Sequence, residues 1–154
     1  MTTRKSLFLS LENHLKGING GISDIASCPF SPYTYNINLS NNVFGKLMFL
    51  QQINDFPSLS IWSSQPEIRK ASGMEVFGSI PTNLRVSLYG ETSSSQTDHI
   101  IEDLQYALNS FKYTQENDPS LVDLRITEVS CDEGLLDPYG IVEVSFIVVY
   151  KLNI

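Results

Sequence analysis

Two clusters of side chains in this sequence have types and spacing that invite chemistry. The first lies in SCDEGLLDPYGIVEVSFIVVY, Ser130 to Tyr150, where Cys131, Asp132, Glu133 and Asp137 crowd around Gly134, Pro138 and Gly140. Carboxylates this close together could supply oxygen ligands to a hard cation. Their spacing departs from the D-x-[DN]-x-[DN]-G loop of calcium sites, and no bidentate Glu follows at the required offset. Asp, Gly and Pro are also the residues that reverse a hairpin, so the stretch reads first as a corner. The second cluster is TDHIIED, where His99 stands three residues before Glu102 and four before Asp103, near one helical face. Such a group could share a metal, or a carboxylate could orient the imidazole for acid–base work. The solvent face of a capped helix looks the same, and no third ligand cluster of matching chemistry stands elsewhere. Solvated surface is the expectation.

Other motifs point away from catalysis. The glycines of GINGG follow no strand and lack phosphate-loop spacing, so they read as a helix stop. There is no G-x-S-x-G elbow, and Cys28 and Cys131 fit neither a nucleophile motif nor a zinc site. His14 reads as a polar residue on an N-terminal helix, and Trp62, the only tryptophan, as a core or interface anchor. No enzyme, metal or cofactor is expected.

The elements that must position these residues fit one domain. The chain has 154 residues, of which 42% are apolar and 10% aromatic, enough for one continuous core. Charged residues make up 18%, below the roughly 25% usual for soluble domains. That leaves a neutral polar surface suited to protein contacts. Ten Lys and Arg against 17 Asp and Glu give a net charge of −7, with no basic cluster to grip a phosphate backbone. An acidic wall would instead let DNA slide past. The interrupted N-terminal apolar run does not read as a signal peptide, and no stretch approaches a membrane span. With two cysteines and no disulfide framework, a soluble protein made in a reducing cytoplasm is expected.

Leu7, Leu11, Leu15 and Ile18, with Phe8 beside them, predict a helix over residues 3–17 capped by Thr2 or Thr3. Tyr35, Ile37 and Leu39 alternate with asparagines as in a short strand. Val43 to Asn54 fits either strand or helix, and Phe56 to Trp62 and Leu84 to Gly90 alternate as strands. Residues 63–81 hold no sustained period and read as a long loop or irregular hairpin arm, a partner-binding feature. Ile100, Leu104, Leu108 and Phe111 stripe a helix capped by Ser95 or Thr97. Val122 to Cys131 and Ile141 to Leu152 form an antiparallel hairpin. Ile147 and Val149 opposite its core-facing residues predict a distal half covered on both sides. The order predicts a single α+β domain over residues 1–154: one mixed or antiparallel sheet, an N-terminal helix, a second long helix and an arm.

Three stretches together resemble the tail terminator, or tail completion, proteins of long-tailed bacteriophages. They are FPSLSIW, HIIEDLQYALNSF, and LRITEVSCDEG followed by DPYGIVEVSFIVVY. In the last, an I-x-x-V-x-x-D-E-G strand end leads through a Pro/Gly corner into an apolar strand ending in Tyr. The resemblance covers residues 50–151 and the first helix; the Tyr33–Asn54 region does not recover the pattern. It implies a structural protein of the virion, built in the host cytoplasm and placed at the head-proximal end of the tail. It implies a homo-hexameric ring that caps the tail tube protein and docks a head-completion or neck protein, with DNA passing through its lumen.

No functional motif of that family carries over position by position, so interface candidates come from the residues themselves. They are Arg69, Lys70, Met74, Val76 and Phe77 on the arm, and Asp132, Glu133 and Asp137 at the hairpin corner, lining a lumen or a ring face. Two other readings stand beside this one. One is a different head-to-tail joining protein. The other is a small metal-dependent enzyme or ligand-binding domain using His99, Glu102 and Asp103 or the Asp132–Asp137 corner.

Overall fold

The computed structural model describes residues 4–40, 42–63, 68–73, 75–90, 96–115, 121–132 and 138–152. Helix α1 spans Arg4–Lys16 and buries Leu7, Leu11 and Leu15, the residues whose spacing predicts it. It ends where expected: the Gly17 amide reaches the His14 carbonyl at 3.0 Å, and the Ile18 amide that of Leu15 at 3.1 Å. The proposed Thr2 and Thr3 caps lie outside the described residues.

The chain then runs through strands β1 (Ile22–Ser23), β2 (Tyr33–Thr34), β3 (Val43–Phe44) and β4 (Ser58–Trp62), with a 3-10 turn at Leu50–Gln52. It continues through β5 (Ile68–Ser72), β6 (Glu75–Tyr89), α2 (Thr97–Thr114), β7 (Leu121–Cys131) and β8 (Tyr139–Leu152). β1 and β2 pair by themselves, and the main sheet has the order β3-β4-β6-β8-β7, with β5 added alongside β6. All its pairings are antiparallel except β3 on β4, so the sheet is mixed. This is the expected α+β domain. The region from Val43 to Asn54 resolves as a two-residue strand followed by the 3-10 turn, not as one long element.

Both helices pack on one face of this sheet. That face supplies Leu59, Ile61, Ile80, Leu84, Val86 and Leu88, then Val142, Val144, Phe146, Val148 and Tyr150, all in one buried cluster with the two helices. Alternation puts the intervening residues on the other face. There Pro81, Ile141, Ile147 and Val149 are only half-buried, so among the described residues nothing gives the distal β8 the full covering expected on its second side.

The stretch from 63 to 81 is more regular than its sequence suggests. β5 pairs with β6 from Ile68↔Ser79 to Ser72↔Glu75, and β4 pairs with the same edge of β6 from Ser58↔Ser87 to Trp62↔Asn83. β4 and β5 are therefore one strand of a long hairpin, interrupted opposite residues 80–82. Gly73, at φ +62°, takes the left-handed conformation a tight hairpin reversal needs. The interruption has a physical cause. Ser63 donates to the Pro81 carbonyl at 3.2 Å, so the polar side of Pro81 faces the β4–β5 edge, where proline has no amide to offer. At the opposite edge, β7 carries register shifts between Leu121 and Asp123 and between Ile126 and Glu128.

Asp103 ties the irregular region 22–42 to this frame. It stands among the apolar residues of α2 and is fully buried. Its carboxylate accepts from the Tyr33 hydroxyl at 2.7 Å, the Asn36 side-chain amide at 3.0 Å, and the backbone amides of Asn36 and Ile37, each at 2.9 Å. Tyr35, Ile37 and Leu39 alternate inward as expected, but the amides of Asn36 and Ile37 turn to this carboxylate, and the stretch makes an isolated bridge at Asn38, to Asn19, in place of a strand. Tyr106 adds a second clasp, stacked on Tyr33 at 4.4 Å and bonded to Ser31 at 2.7 Å. Burial, and then the Asp103 bond, push the Tyr33 hydroxyl well above its usual range and keep it a donor. Asp103 is thus a structural anchor and not the solvated residue its chemistry suggests.

His14 joins the helices in a similar way. Its Nε2 lies 2.8 Å from the Ala107 carbonyl and 3.3 Å from the Ser110 hydroxyl, and its ring tilts against Phe111 at 5.5 Å. It is a clamp between α1 and α2, not a residue turned to water. Burial holds its pKa below the usual imidazole value, with the Ala107 bond opposing.

Two outcomes follow. Asp103→Ala leaves several buried donors unmet and is expected to lower unfolding free energy by about 3 kcal/mol in urea titrations. Asp103→Asn should be nearly as damaging, because its NH2 faces other donors; a loss below about 1 kcal/mol for both contradicts the anchor. Because the folded state disfavours protonated His14, its contribution is present above about pH 6.5 and is lost as pH falls below that value. Melting curves between pH 7.5 and 5.5 should therefore slope less in His14→Gln than in the parent chain.

Candidate functional site

The residues singled out by sequence fall at the two extremities of the sheet. Arg69 and Lys70 lie in β5, opposite Gly78 and Phe77. Val76 and Phe77 lie in β6, where they also face Leu152 and Lys151 of β8, and both are half-buried. Met74 lies outside the described residues. The fold brings the other four to one end of the β5–β6 hairpin, next to the last residues of β8.

Asp132 stands at the other extremity, where β7 ends. Its amide donates to the Ile141 carbonyl at 3.1 Å, and its carboxylate accepts from the Ile141 amide at 3.2 Å. This side chain closes the β7–β8 hairpin by continuing its ladder, which is the corner reading in atomic terms. Glu133 and Asp137 lie outside the described residues. Cys131 is exposed and Cys28 buried, both as free thiols.

The TDHIIED cluster is divided. Thr97 is the first helical residue and not the cap; Gln96 holds that position without a side-chain bond, and Ser95 lies outside the described residues. Asp98 sits in the first turn, at the positive end of the helix dipole. His99 and Glu102 are exposed while Asp103 points into the core, so the three do not converge. Among the described residues, no group of three His, Cys, Asp or Glu side chains is placed to hold a metal.

Two surfaces escape a reading by motif. The first is the uncovered sheet face. Pro81, Ile141, Ile147 and Val149 lie there around the Arg85–Glu143 pair, whose Nε–Oε1 distance is 2.7 Å. Arg85 also lies 5.7 Å from the Trp62 ring. At its end, Phe56, Tyr89 and Tyr139 form an aromatic cluster with centroids 5.2–5.9 Å apart. The half-apolar alternation of β8 was the available signal.

The second is a groove of about 580 Å³ between α1 and the outer edge of β4. Arg4, Lys5, Phe8, Leu9 and Glu12 line one wall, and Gly45, Ile61, Trp62 and Ser63 the other. A side chain at position 45 would meet only the movable end of Glu12, at 3.0 Å, so the Glu12 carboxylate lies over Gly45 here. Nothing in the local sequence announces this groove, because its walls come from distant segments.

The chemistry of these places is that of contact surfaces. Asp132→Ala should remove one hairpin-closing bond and cost about 1 kcal/mol in thermal unfolding. A chelator should leave the parent melting temperature unchanged; a chelator-dependent shift would restore the ion-site reading of the corner.

No helix among the described residues is long and apolar enough to cross a membrane. No curated protein matches this chain. The sequence model of one family, described as Bacteriophage Tail Tube Terminator Protein, matches residues 1–153. The chain therefore belongs to the bacteriophage tail tube terminators, structural components of the virion tail that work with the tail tube and are not a class of enzyme.

Proposed function

We propose that this protein caps the tail tube as a homo-hexameric ring at its head-proximal end. The ring ends tube polymerisation and presents a docking surface to a head-completion or neck protein. The observation that carries this reading is the uncovered sheet face, in a chain matched over its length to tail tube terminators. Half-buried Pro81, Ile141, Ile147 and Val149 would gain burial against another chain, each by a fraction of the about 1.5–3 kcal/mol that covering a fully exposed aliphatic side chain contributes.

The hairpin end bearing Arg69, Lys70, Met74, Val76 and Phe77 is the surface assigned to tube or neighbour contacts. Asp132, Glu133 and Asp137 are assigned to the lumen or a ring face. An overall charge of −7 favours a lumen through which DNA moves without adhering. Catalysis has no part in this role.

Electron microscopy of particles made without this protein tests the proposal. Tails of unregulated length are expected. Tails of normal length lying free beside unjoined heads would overturn it in favour of a neck protein. Replacing Phe77 with Asp should weaken capping of purified tubes by more than is explained by the about 1 kcal/mol that losing a half-buried aromatic takes from the circular-dichroism melt. Unchanged capping would remove the hairpin end from the interface.

A further inference from the structure

We propose that neighbouring copies of this chain join side to side. The apolar flank formed by Ile101, Ile126 and Val129 at the β7 edge of one copy packs against α1 and β4 at the opposite edge of the next. This inference rests on the ring reading above and names the contact that builds it.

The core between helices and sheet runs out incompletely covered at both edges of the sheet. At the β7 edge, Ile126 pairs with Phe146 and Val129 with Val144. Cross-strand partners share a face, so both residues stand on the helix side of the sheet. The register shift between Ile126 and Glu128 lets two residues three apart share that face. Their partners Phe146 and Val144 are buried, whereas Ile126 and Val129 are only half-buried against the same core.

Ile101 of α2 belongs to this flank. Each helical residue turns about 100°, so Ile101 lies about 200° round the helix from Asp103. Asp103 holds the segment around Asn36 and Ile37, and His14 of α1 meets α2 at Ala107 and Ser110, four and seven residues after Asp103. Those contacts occupy one side of α2. Ile101 stands on the other, away from α1, half-buried against the core.

The β4 edge is open in the same layer. Phe8 of α1 is half-buried against the core, and Leu9 beside it is 54% exposed. Both stand with Ile61 and the half-buried Trp62 among the walls of the groove between α1 and β4.

One edge is thus recessed between a helix and a strand, and the other carries aliphatic side chains of the same core outward. Three strand spacings, about 14 Å, separate β4 from β7, so a copy cannot cover its own groove with its own flank. A second copy covers both edges with one kind of contact, and the helix layer of one copy continues into that of the next. Such a joint is heterologous: each contact leaves one groove and one flank unfilled until a ring closes. It needs no strand pairing between copies.

A benzophenone carried on Leu9→Cys, in a Cys131→Ser background, tests this joint. The labelled full chain is mixed with tail tubes and illuminated. The captured peptide is mapped by mass spectrometry, and the same sample is imaged by electron microscopy. Capture of β7, or of α2 around Ile101, from a second copy is expected, in a ladder of covalent oligomers. Ile101→Ser with Val129→Ser in the captured copy, its folding checked by a circular-dichroism melt, should cut the yield at least about tenfold. An undiminished yield from that folded copy overturns the flank assignment. Capture of the tube protein or of another segment, or no capture although rings are seen on the tubes, overturns the joint and leaves the ring reading standing. Absence of rings overturns both.

Discussion

The buried carboxylate of Asp103 is the constraint on which the rest of this fold depends. The chain between α1 and the main sheet is too poor in regular hydrogen bonding to hold itself: its strands β1 and β2 are two residues each. Amides at Asn36 and Ile37 must find acceptors before Tyr35, Ile37 and Leu39 can go inward. One charged acceptor on α2 satisfies them and the Tyr33 hydroxyl together. Burying that charge costs several kcal/mol, and several charge-assisted bonds offset it only when all form. The arrangement is therefore cooperative. It fixes where the chain enters β3, and β3 in turn sets the parallel edge beside the α1 groove.

His14 and Tyr106 extend the same logic to the helices. α1 touches α2 through an imidazole held between Ala107, Ser110 and Phe111, and the loop stacks on Tyr106. Polar contacts thus set the angle of a helix pair whose leucines alone would accept several packings. One wall of the groove depends on that angle, so the shape of this surface rests on hydrogen bonds in the interior.

Much of this was legible in the sequence where burial and periodicity coincide. Leu7, Leu11 and Leu15 announce α1, and the alternation from Val142 to Tyr150 announces β8, because each pattern faces a single core. Asp103 was misread by its chemistry, though its place three residues after Ile100 and four before Ala107 sets it on the buried face. Residues 68–80 hid their ladder because serine, glycine and charged residues dilute any period there, while β5 pairs with β6 and the start of β6 also pairs with β8. The groove could not be read at all, since its walls meet only in the folded chain. Tail-terminator character was carried by the order of elements and the corner after Cys131, which are written in contiguous stretches of the sequence.

Pro81 has a consequence at the scale of the virion. A structural component of the virion tail must not seed unintended fibres, and open strand edges are where these begin. The proline splits the strand beside β6 into two short pieces, β4 and β5, with only the two-residue β3 outside β4, while the displaced registers of β7 blunt the opposite edge. Neither side offers a long unbroken template for backbone stacking. Backbone pairing along these edges is thereby disfavoured, and shaped side-chain surfaces are left as the means of contact with other chains.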